Sequence, residues 1–244
     1  LFSMLFGVGI MIFLENARKK TSKPKTLAIW RNFLLLCFGL LHFSIWVGDV
    51  LAPYAICAFL LILFPDVKKP IMILLAIVFL MIAFIVITNY FSSLYDTNGN
   101  LISQEEWVLL ASEGGELSYG SIWFPDSEAP GNLIGMWWFI GYFFRAITLM
   151  LFGIFLYKLK IIQGNKHISF YKKISIYGFS IGLPLSIYSI YLLVSSGYDP
   201  SVVFISNIFN TLSVIPMVLG YTGVLTILNL RLRDAITERL RACG

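Results

Sequence analysis

The stretch IWRNFLLLCFGLLHFSIWVGDVLAPYAICAFLLILF, from Ile29 to Phe64, holds two apolar runs separated by the pair Gly48-Asp49. The first run covers about Ile29 to Val47 and the second about Val50 to Phe64. Apolar runs that approach ~20 residues are typical of transmembrane helices. A Gly-Asp pair between two such runs is a turn signal. The stretch therefore predicts a hairpin of two membrane-spanning helices.

Similar apolar runs continue on both sides of this hairpin. With 58% hydrophobic and only 13% charged residues, and a mean hydropathy of +0.83, the chain departs from the average soluble protein. The predicted fold is all-α, a polytopic transmembrane helix bundle in which residues 1–244 form a single transmembrane domain and the lipid bilayer is the solvent. We predict about seven spans, at about residues 1–14, 29–47, 50–64, 70–91, 134–156, 174–194 and 202–228.

The charges of the connectors predict how the chain is oriented. Four connectors, at residues 18–31, 66–69, 158–173 and 231–241, hold 17 of the 18 Lys and Arg residues. The 42-residue loop from Ser92 to Leu133 has no basic residue and carries seven acids. By the positive-inside rule the basic connectors are cytoplasmic and the loop 92–133 is extracytoplasmic. Loops of this length are uncommon unless functional, so we expect this one to cap a pocket.

Several classes of protein lose support from the composition. The net charge of +5 comes from residues placed where they meet lipid headgroups, so it does not indicate a nucleic-acid partner. Cys37, Cys57 and Cys243 lack metal-ligand spacing, and we expect no metal. The sequence contains neither a Walker motif nor a G-x-S-x-G elbow, which argues against ATP-driven transport and serine-hydrolase chemistry.

The two ends of the sequence are abrupt. Leu1 is not an initiator Met, and the first apolar run reaches Glu15 after only 14 residues, short of the ~20 that a span needs. The basic, amphipathic stretch from Arg231 to Gly244 stops without a natural terminator. We expect the sequence to be a piece of a longer chain, truncated at both ends.

Three ionisable residues fall on one face of the second predicted span. Arg31, His42 and Asp49 are separated by 11 and 7 residues, which at 100° per residue returns each to nearly the same side of a helix. Ionisable groups within a membrane usually face the bundle interior or a water-filled cavity and mark a working site. In the alternative interpretation, Arg31 reaches the cytoplasmic headgroups and Asp49 caps the turn.

Arg145 is the one basic residue outside the basic connectors, and it lies about 11 residues into its span, near mid-membrane. A guanidinium at that depth needs an acceptor, for which Asp49, an acid of the long loop, a bound anion or backbone carbonyls all remain candidates. The last span carries a polar face that either holds helices together or lines a cavity. Its members are Ser206, Asn207, Asn210, Thr211 and Ser213.

Three segments resemble the YeiB-like family of bacterial membrane proteins. The segment from Phe2 to Gly9 is similar to that family's FSLLFGIG segment. Residues 39–55, with His42, Asp49 and Tyr54-Ala55, resemble its GLLH...GDIL..YA signature, which Arg31 precedes. Residues 145–157, which begin with Arg145, are similar to its R...LMLLG..LY segment. The resemblance implies a polytopic domain of unknown function in the bacterial inner membrane, distantly similar to heparan-alpha-glucosaminide N-acetyltransferase and other transmembrane acyltransferases.

That resemblance implies an acyltransferase that moves an acyl group from cytoplasmic acyl-CoA to an extracytoplasmic acceptor, such as a saccharide or a lipid-linked acceptor. We assign His42 and Asp49 as catalytic residues, with Asp49 orienting His42 as a base. Arg145, Arg31 and Tyr54 are assigned to substrate binding. Alternatively, Asp49 and Arg145 form a structural ion pair. The sequence also leaves open a carrier for a small anionic solute, a non-catalytic membrane subunit and a homo-oligomer.

Overall fold

The computed structural model describes residues 1–45, 50–63, 69–92, 130–197 and 200–231, and within these ranges all regular structure is α-helical. The prediction of an all-α helical membrane fold is thereby confirmed. The helices in these ranges are α1 (Phe2–Lys20), α2 (Pro24–Phe43), α3 (Leu51–Leu63), α4 (Lys69–Ser92), α5 (Pro130–Lys158), α6 (Ile168–Ser195) and α7 (Pro200–Arg231).

Several helices extend beyond the apolar runs that predicted them, mostly at their basic ends, whereas α2 ends at Phe43, before the predicted Val47. Helix α1 continues past Leu14 to Lys20, and α2 begins at Pro24 rather than at Ile29. Proline is favoured in the first turn of a helix, where its missing N–H is not needed. The three basic residues in the last turn of α1 interact favourably with the helix dipole. Hydropathy marks the part of a helix that lies in lipid, whereas caps and charges decide where the helix ends.

Among the residues that the structure describes, fewer helices qualify as membrane spans than the seven that the sequence predicted. In the described residues four stretches are long and apolar enough to cross a bilayer: Pro24–Phe43, Gly141–Lys158, Ile168–Ser195 and Ile205–Leu230. Helix α3, with 13 residues, and the stretch Ile71–Leu80 of α4 are apolar but shorter. Helix α1 carries Glu15 and three basic residues in its second half, which shortens its apolar part. The multi-pass helical architecture stands, but the prediction of about seven spans differs from these four.

The chain divides into two compact units, Phe2–Phe155 and Leu156–Gly244, the second of which also includes Leu1. The boundary lies within α5. The prediction of a single transmembrane domain stays a prediction. The predicted cap also stays a prediction, because residues 93–129 lie outside the described ranges.

In the first unit, glycines bring helices into backbone contact. A Cβ added at Gly7 of α1 would lie 2.5 Å from the carbonyl oxygen of Met150 in α5. A Cβ at Gly153 of α5 would meet the carbonyl oxygen of Met4 in α1. In the same way, Gly39 of α2 packs against Ala52 of α3, where a Cβ would lie 2.5 Å from the backbone nitrogen. Small residues allow this close approach of helices in membranes.

In the second unit, α6 and α7 form an antiparallel pair. Gly178 and Gly182, one turn apart on α6, are both contact positions: a Cβ at Gly178 would lie 2.6 Å from the nitrogen of Gly220. Ser189 and Ser206 join their hydroxyl groups at 2.9 Å, and Ser186 donates to Ser213 at 2.9 Å. For Ser206 and Ser213 the polar face of the last span therefore holds helices together.

Candidate functional site

A chain of hydroxyl groups joins three helices of the first unit. The hydroxyl groups of Ser3 on α1 and Tyr54 on α3 lie 2.7 Å apart. Tyr142 on α5 donates to the Tyr54 hydroxyl at 3.3 Å. Ser3 and Tyr54 are buried, with 8% and 4% of their surface exposed. We call these three residues the hydroxyl cluster. Buried polar groups among apolar helices need such partners, because an unpaired group would be costly.

Aromatic rings enclose the Tyr54 side chain and fix its direction. The Tyr54 ring stacks on Phe2 at 5.5 Å between centroids and on Tyr142 at 6.3 Å with an interplanar angle of 5°. Phe6 packs against it from one turn further along α1, at 5.6 Å. Offset ring pairs at these separations add to the stabilisation from burial alone. The phenol oxygen of Tyr54 is thereby held toward the other two hydroxyl groups.

Arg145 lies next to this cluster. It follows Tyr142 by three residues on α5, so the two side chains share one face of the helix, and they interact electrostatically. Arg145 is half-buried and has an interaction partner in the structure. The structure therefore brings together two of the predicted substrate-binding residues, Tyr54 and Arg145, through Tyr142.

His42 lies at the same end of the α2–α3 pair as Tyr54 but in different surroundings. Gly39, three residues before His42, contacts Ala52, two residues before Tyr54. His42 is exposed on the last turn of α2, whereas Tyr54 is buried. Asp49 lies outside the described residues. The grouping of His42, Asp49 and Arg145 into one site stays a prediction.

Arg31 lies elsewhere, at a groove between α1 and α2. Its guanidinium carbon stands 4.7 Å from the centre of the Phe13 ring, a cation–π contact. The groove has a volume of about 390 Å³. Its other lining residues are almost all apolar: Phe6, Gly9, Ile10, Phe13, Ala28, Asn32, Leu34, Leu35, Phe38 and Ile62. We call this the α1–α2 groove.

On α2 the groove follows one helical face that leads toward His42. Arg31, Leu35 and Phe38 are spaced by four and three residues, and His42 comes four residues later. At 1.5 Å per residue the groove spans ~10 Å from Arg31 to Phe38 along the axis. The predicted common face of Arg31 and His42 is consistent with this arrangement.

Two members of the hydroxyl cluster, Ser3 and Tyr142, were not identified from the sequence. A signal for Tyr142 was present, since it precedes Arg145 by three residues and so shares its helical face. Ser3 stands within the resembling segment Phe2 to Gly9, but a serine in an apolar run is common helix glue and points to no partner by itself. Only the packing of α1 against α3 shows what Ser3 contacts.

Within the described ranges, no three His, Cys, Asp or Glu side chains are grouped so as to hold a metal ion. Cys37 and Cys57 are free thiols, and Cys57 donates a weak hydrogen bond to the carbonyl oxygen of Phe143 at 3.7 Å.

Comparison with known sequences relates the second unit to a family without an assigned activity. Residues 156–244 match the profile of "Protein of unknown function (DUF418)". This agrees with the resemblance to YeiB-like proteins, whereas it carries no information on acyl transfer. The match leaves out the first unit, which contains the hydroxyl cluster and the α1–α2 groove.

Two curated bacterial proteins are similar over short segments. The chain is 40% identical over 78 residues to the uncharacterized protein YxaH of Bacillus subtilis. This aligned segment makes up 32% of this chain and 19% of that protein. It is also 36% identical over 69 residues to an uncharacterized 39.9 kDa protein in the amylase 3' region of Bacillus acidopullulyticus. This aligned segment makes up 28% of this chain and 20% of that protein. The matches thus cover about a fifth of these relatives. No solved structure matches the chain.

Proposed function

We propose that the chain belongs to a membrane-bound acyltransferase-like protein that moves an acyl group from acyl-CoA to an acceptor on the opposite side of the membrane. The observation that carries this proposal is the hydroxyl cluster with Arg145 beside it, at the end of the α2–α3 pair that also carries His42. Hydroxyl donors and a cation gathered in an apolar bundle are suited to holding an anionic or carbonyl oxygen.

In this proposal each residue has one task. His42, oriented by Asp49, accepts the proton of an acceptor hydroxyl or amine as that group attacks the thioester carbonyl. Arg145 and the hydroxyl groups of the cluster stabilise the oxyanion until the CoA thiolate leaves. The basic connectors face the cytoplasm, where acyl-CoA is available, and the acceptor approaches from the other side, as a saccharide or a lipid-linked molecule.

The test is acyl transfer by the full-length protein in proteoliposomes loaded with labelled acyl-CoA. The chain has two histidines, which provides a matched pair of variants. His42→Asn is expected to lower turnover by at least ~100-fold, the lower range for loss of a general base. His167→Asn is the control, because His167 caps α6 by accepting from Ser169 N, and asparagine is also a good cap. Equal turnover in the two variants would contradict the assignment of His42.

A second candidate is a carrier for a small anionic solute. The half-buried position of Arg145 beside Tyr142 favours it, since such a site can bind an anion without any reaction. Proteoliposomes that show anion flux without acyl-CoA, and flux that Arg145→Gln abolishes while His42→Asn does not, would support the carrier. A protein with neither flux nor transfer would be a non-catalytic membrane subunit.

A further inference from the structure

The α1–α2 groove combines an apolar floor with a cation at one end. Its lining from Phe6 to Phe38 is apolar apart from Arg31 and Asn32, and Arg31 lies in the half of the groove nearer to the connector between α1 and α2. Residues 15–31 contain six Lys or Arg and a single acid. We call this the basic end of the groove. A ligand that matches it has an anionic group at one end and an apolar chain behind it.

The groove is open sideways, toward the surroundings of α2. Phe38, one of its lining residues, is 65% exposed, and Leu34 is 43% exposed. Helix α2 is long and apolar enough to cross a membrane, and for such a helix we expect these surroundings to be bilayer lipid. A ligand can therefore enter from the membrane without passing through the bundle.

Gly9 makes part of the groove by lacking a side chain. A Cβ placed there would have no atom within 4 Å, in contrast to Gly7, whose added Cβ would lie 2.5 Å from the Met150 carbonyl oxygen. Helix packing therefore explains why residue 7 is a glycine, but it does not explain why residue 9 is one. The space beside Gly9 belongs to the groove and is open to another molecule.

The length of the α1–α2 groove along the helix axis fits within one leaflet of a bilayer. The ~10 Å from Arg31 to Phe38 compares with ~15 Å for half of the hydrocarbon core. Arg31 is exposed and rests on the Phe13 ring, so its charged head can reach a phosphate at headgroup level while its stem covers apolar surface.

From these observations we infer that the α1–α2 groove is a binding site for an anionic phospholipid, with one acyl chain between α1 and α2 and the headgroup phosphate on Arg31. The charge at the basic end selects an anionic headgroup over a zwitterionic one, because juxtamembrane Lys and Arg residues attract anionic lipids. The inference does not depend on acyl transfer, since it uses neither His42 nor the hydroxyl cluster.

The test is native mass spectrometry of the full-length protein with phosphatidylglycerol or phosphatidylcholine. Titrations are carried out at high salt, because near 1 M the Debye length falls to ~3 Å and diffuse attraction to the basic connectors is screened. We expect one phosphatidylglycerol to bind more tightly than phosphatidylcholine. Arg31→Gln should weaken the binding of phosphatidylglycerol about tenfold, which is the effect of losing a charge-assisted hydrogen bond. Lys23→Gln removes a charge from the basic end that does not line the groove. Because its attraction is screened at high salt, it should weaken the binding of phosphatidylglycerol much less than Arg31→Gln does.

Filling the groove supplies the second variant. Gly9→Leu should reduce the binding of both lipids without loss of fold, because leucine favours helix and its Cβ has no atom within 4 Å. Leu5→Phe adds bulk at an exposed position of α1 outside the groove and should leave binding unchanged.

Three results would overturn the inference. One is that the Arg31→Gln and Lys23→Gln variants bind phosphatidylglycerol with equal affinity. Another is displacement of phosphatidylglycerol by oleoyl-CoA, which would assign the groove to an acyl donor. The third is the absence of bound lipid from the wild-type protein, which would mean that another segment of the full-length chain or a second protein covers the groove.

Discussion

The Tyr54 phenol and the Ser3 hydroxyl lie 2.7 Å apart and join α3 to α1 inside the first unit. Both residues are buried, so neither hydroxyl can exchange this bond for one with water. The contact makes Tyr54 a polar residue with a structural partner as well as a candidate ligand for substrate.

Tyr54→Phe separates these two roles. The phenylalanine keeps the ring contacts with Phe2 and Phe6 but removes the bonds to Ser3 and Tyr142, so we expect a loss of ~2 kcal/mol in the free energy of unfolding, at ~1 kcal/mol for each bond. Ser3→Ala removes only the bond between Ser3 and Tyr54, keeps the phenol, and should cost about half as much. If Tyr54 binds substrate, only Tyr54→Phe lowers acyl transfer, measured beside thermal unfolding in detergent. Equal activity losses in both variants would indicate a purely structural bond.

Asn32 holds α2 to α3 through one side-chain hydrogen bond. Its Nδ2 donates to the carbonyl oxygen of Ala55 at 2.6 Å, and the residue is 6% exposed. Asn32→Asp replaces this donor by an acceptor or a charge, so we expect at least ~2 kcal/mol of destabilisation. Asn32→Leu keeps the branched shape, although leucine is larger, and should cost less, because no polar side-chain atom is left buried. A larger loss for leucine than for aspartate, in scanning calorimetry, would contradict this view.

Gly7 and Gly9 offer a matched pair on α1. Gly7→Ala puts a methyl group 2.5 Å from the Met150 carbonyl oxygen and must push α1 away from α5. We expect a lower melting temperature. Gly9→Ala meets no atom and replaces glycine by a better helix former, so it should be neutral or stabilising by up to ~1 kcal/mol. If both alanine variants unfold at the same temperature as wild type, the close α1–α5 contact is wrong.

Ser189 and Ser206 form a reciprocal pair between α6 and α7, in which each hydroxyl donates to the carbonyl oxygen of the other residue at 2.9 Å and the two hydroxyl oxygens lie 2.9 Å apart. A double-mutant cycle with alanine at both positions should give a coupling free energy of about 0.6 kcal/mol, typical of hydrogen bonds between membrane helices. Ser195→Ala is the control, because that hydroxyl bonds within its own helix, to Leu192. No coupling between Ser189 and Ser206 would show that the pair does not link the helices.

The orientation that the charges predict can be tested by thiol labelling of intact cells. In a background without native cysteines, a cysteine at Asn98 or Ser127 should react with an impermeant reagent, and one at Lys20 should react only after permeabilisation. Labelling at Lys20 with protection of both loop positions would reverse the orientation and the direction proposed for acyl transfer.

Arg31 and His42, on one face of α2, show which features of the site could be predicted from the sequence and which could not. The spacing of Arg31 and His42 placed them on one helical face, because a helix repeats every 3.6 residues whatever surrounds it. That Arg31 rests on Phe13 and lines a groove depends on α1, which the spacing within α2 does not contain. In the same way, Gly178 and Gly7 are both small, but only the neighbouring helix decides what each one contacts.

The sequence by itself determined that this protein is helical and built for a membrane, because hydropathy and helical period are local properties of the chain. It also located Arg145 as a polar group that needs a partner, whereas Tyr54 was singled out only by the family resemblance. The tertiary structure alone decided which groups Arg145 and Tyr54 contact. Ser3 and Tyr54 are 51 residues apart, and Tyr54 and Tyr142 are 88 apart, so their hydrogen bonds form only once the helices have packed. The groove beside Gly9 likewise exists only as the space left between two helices.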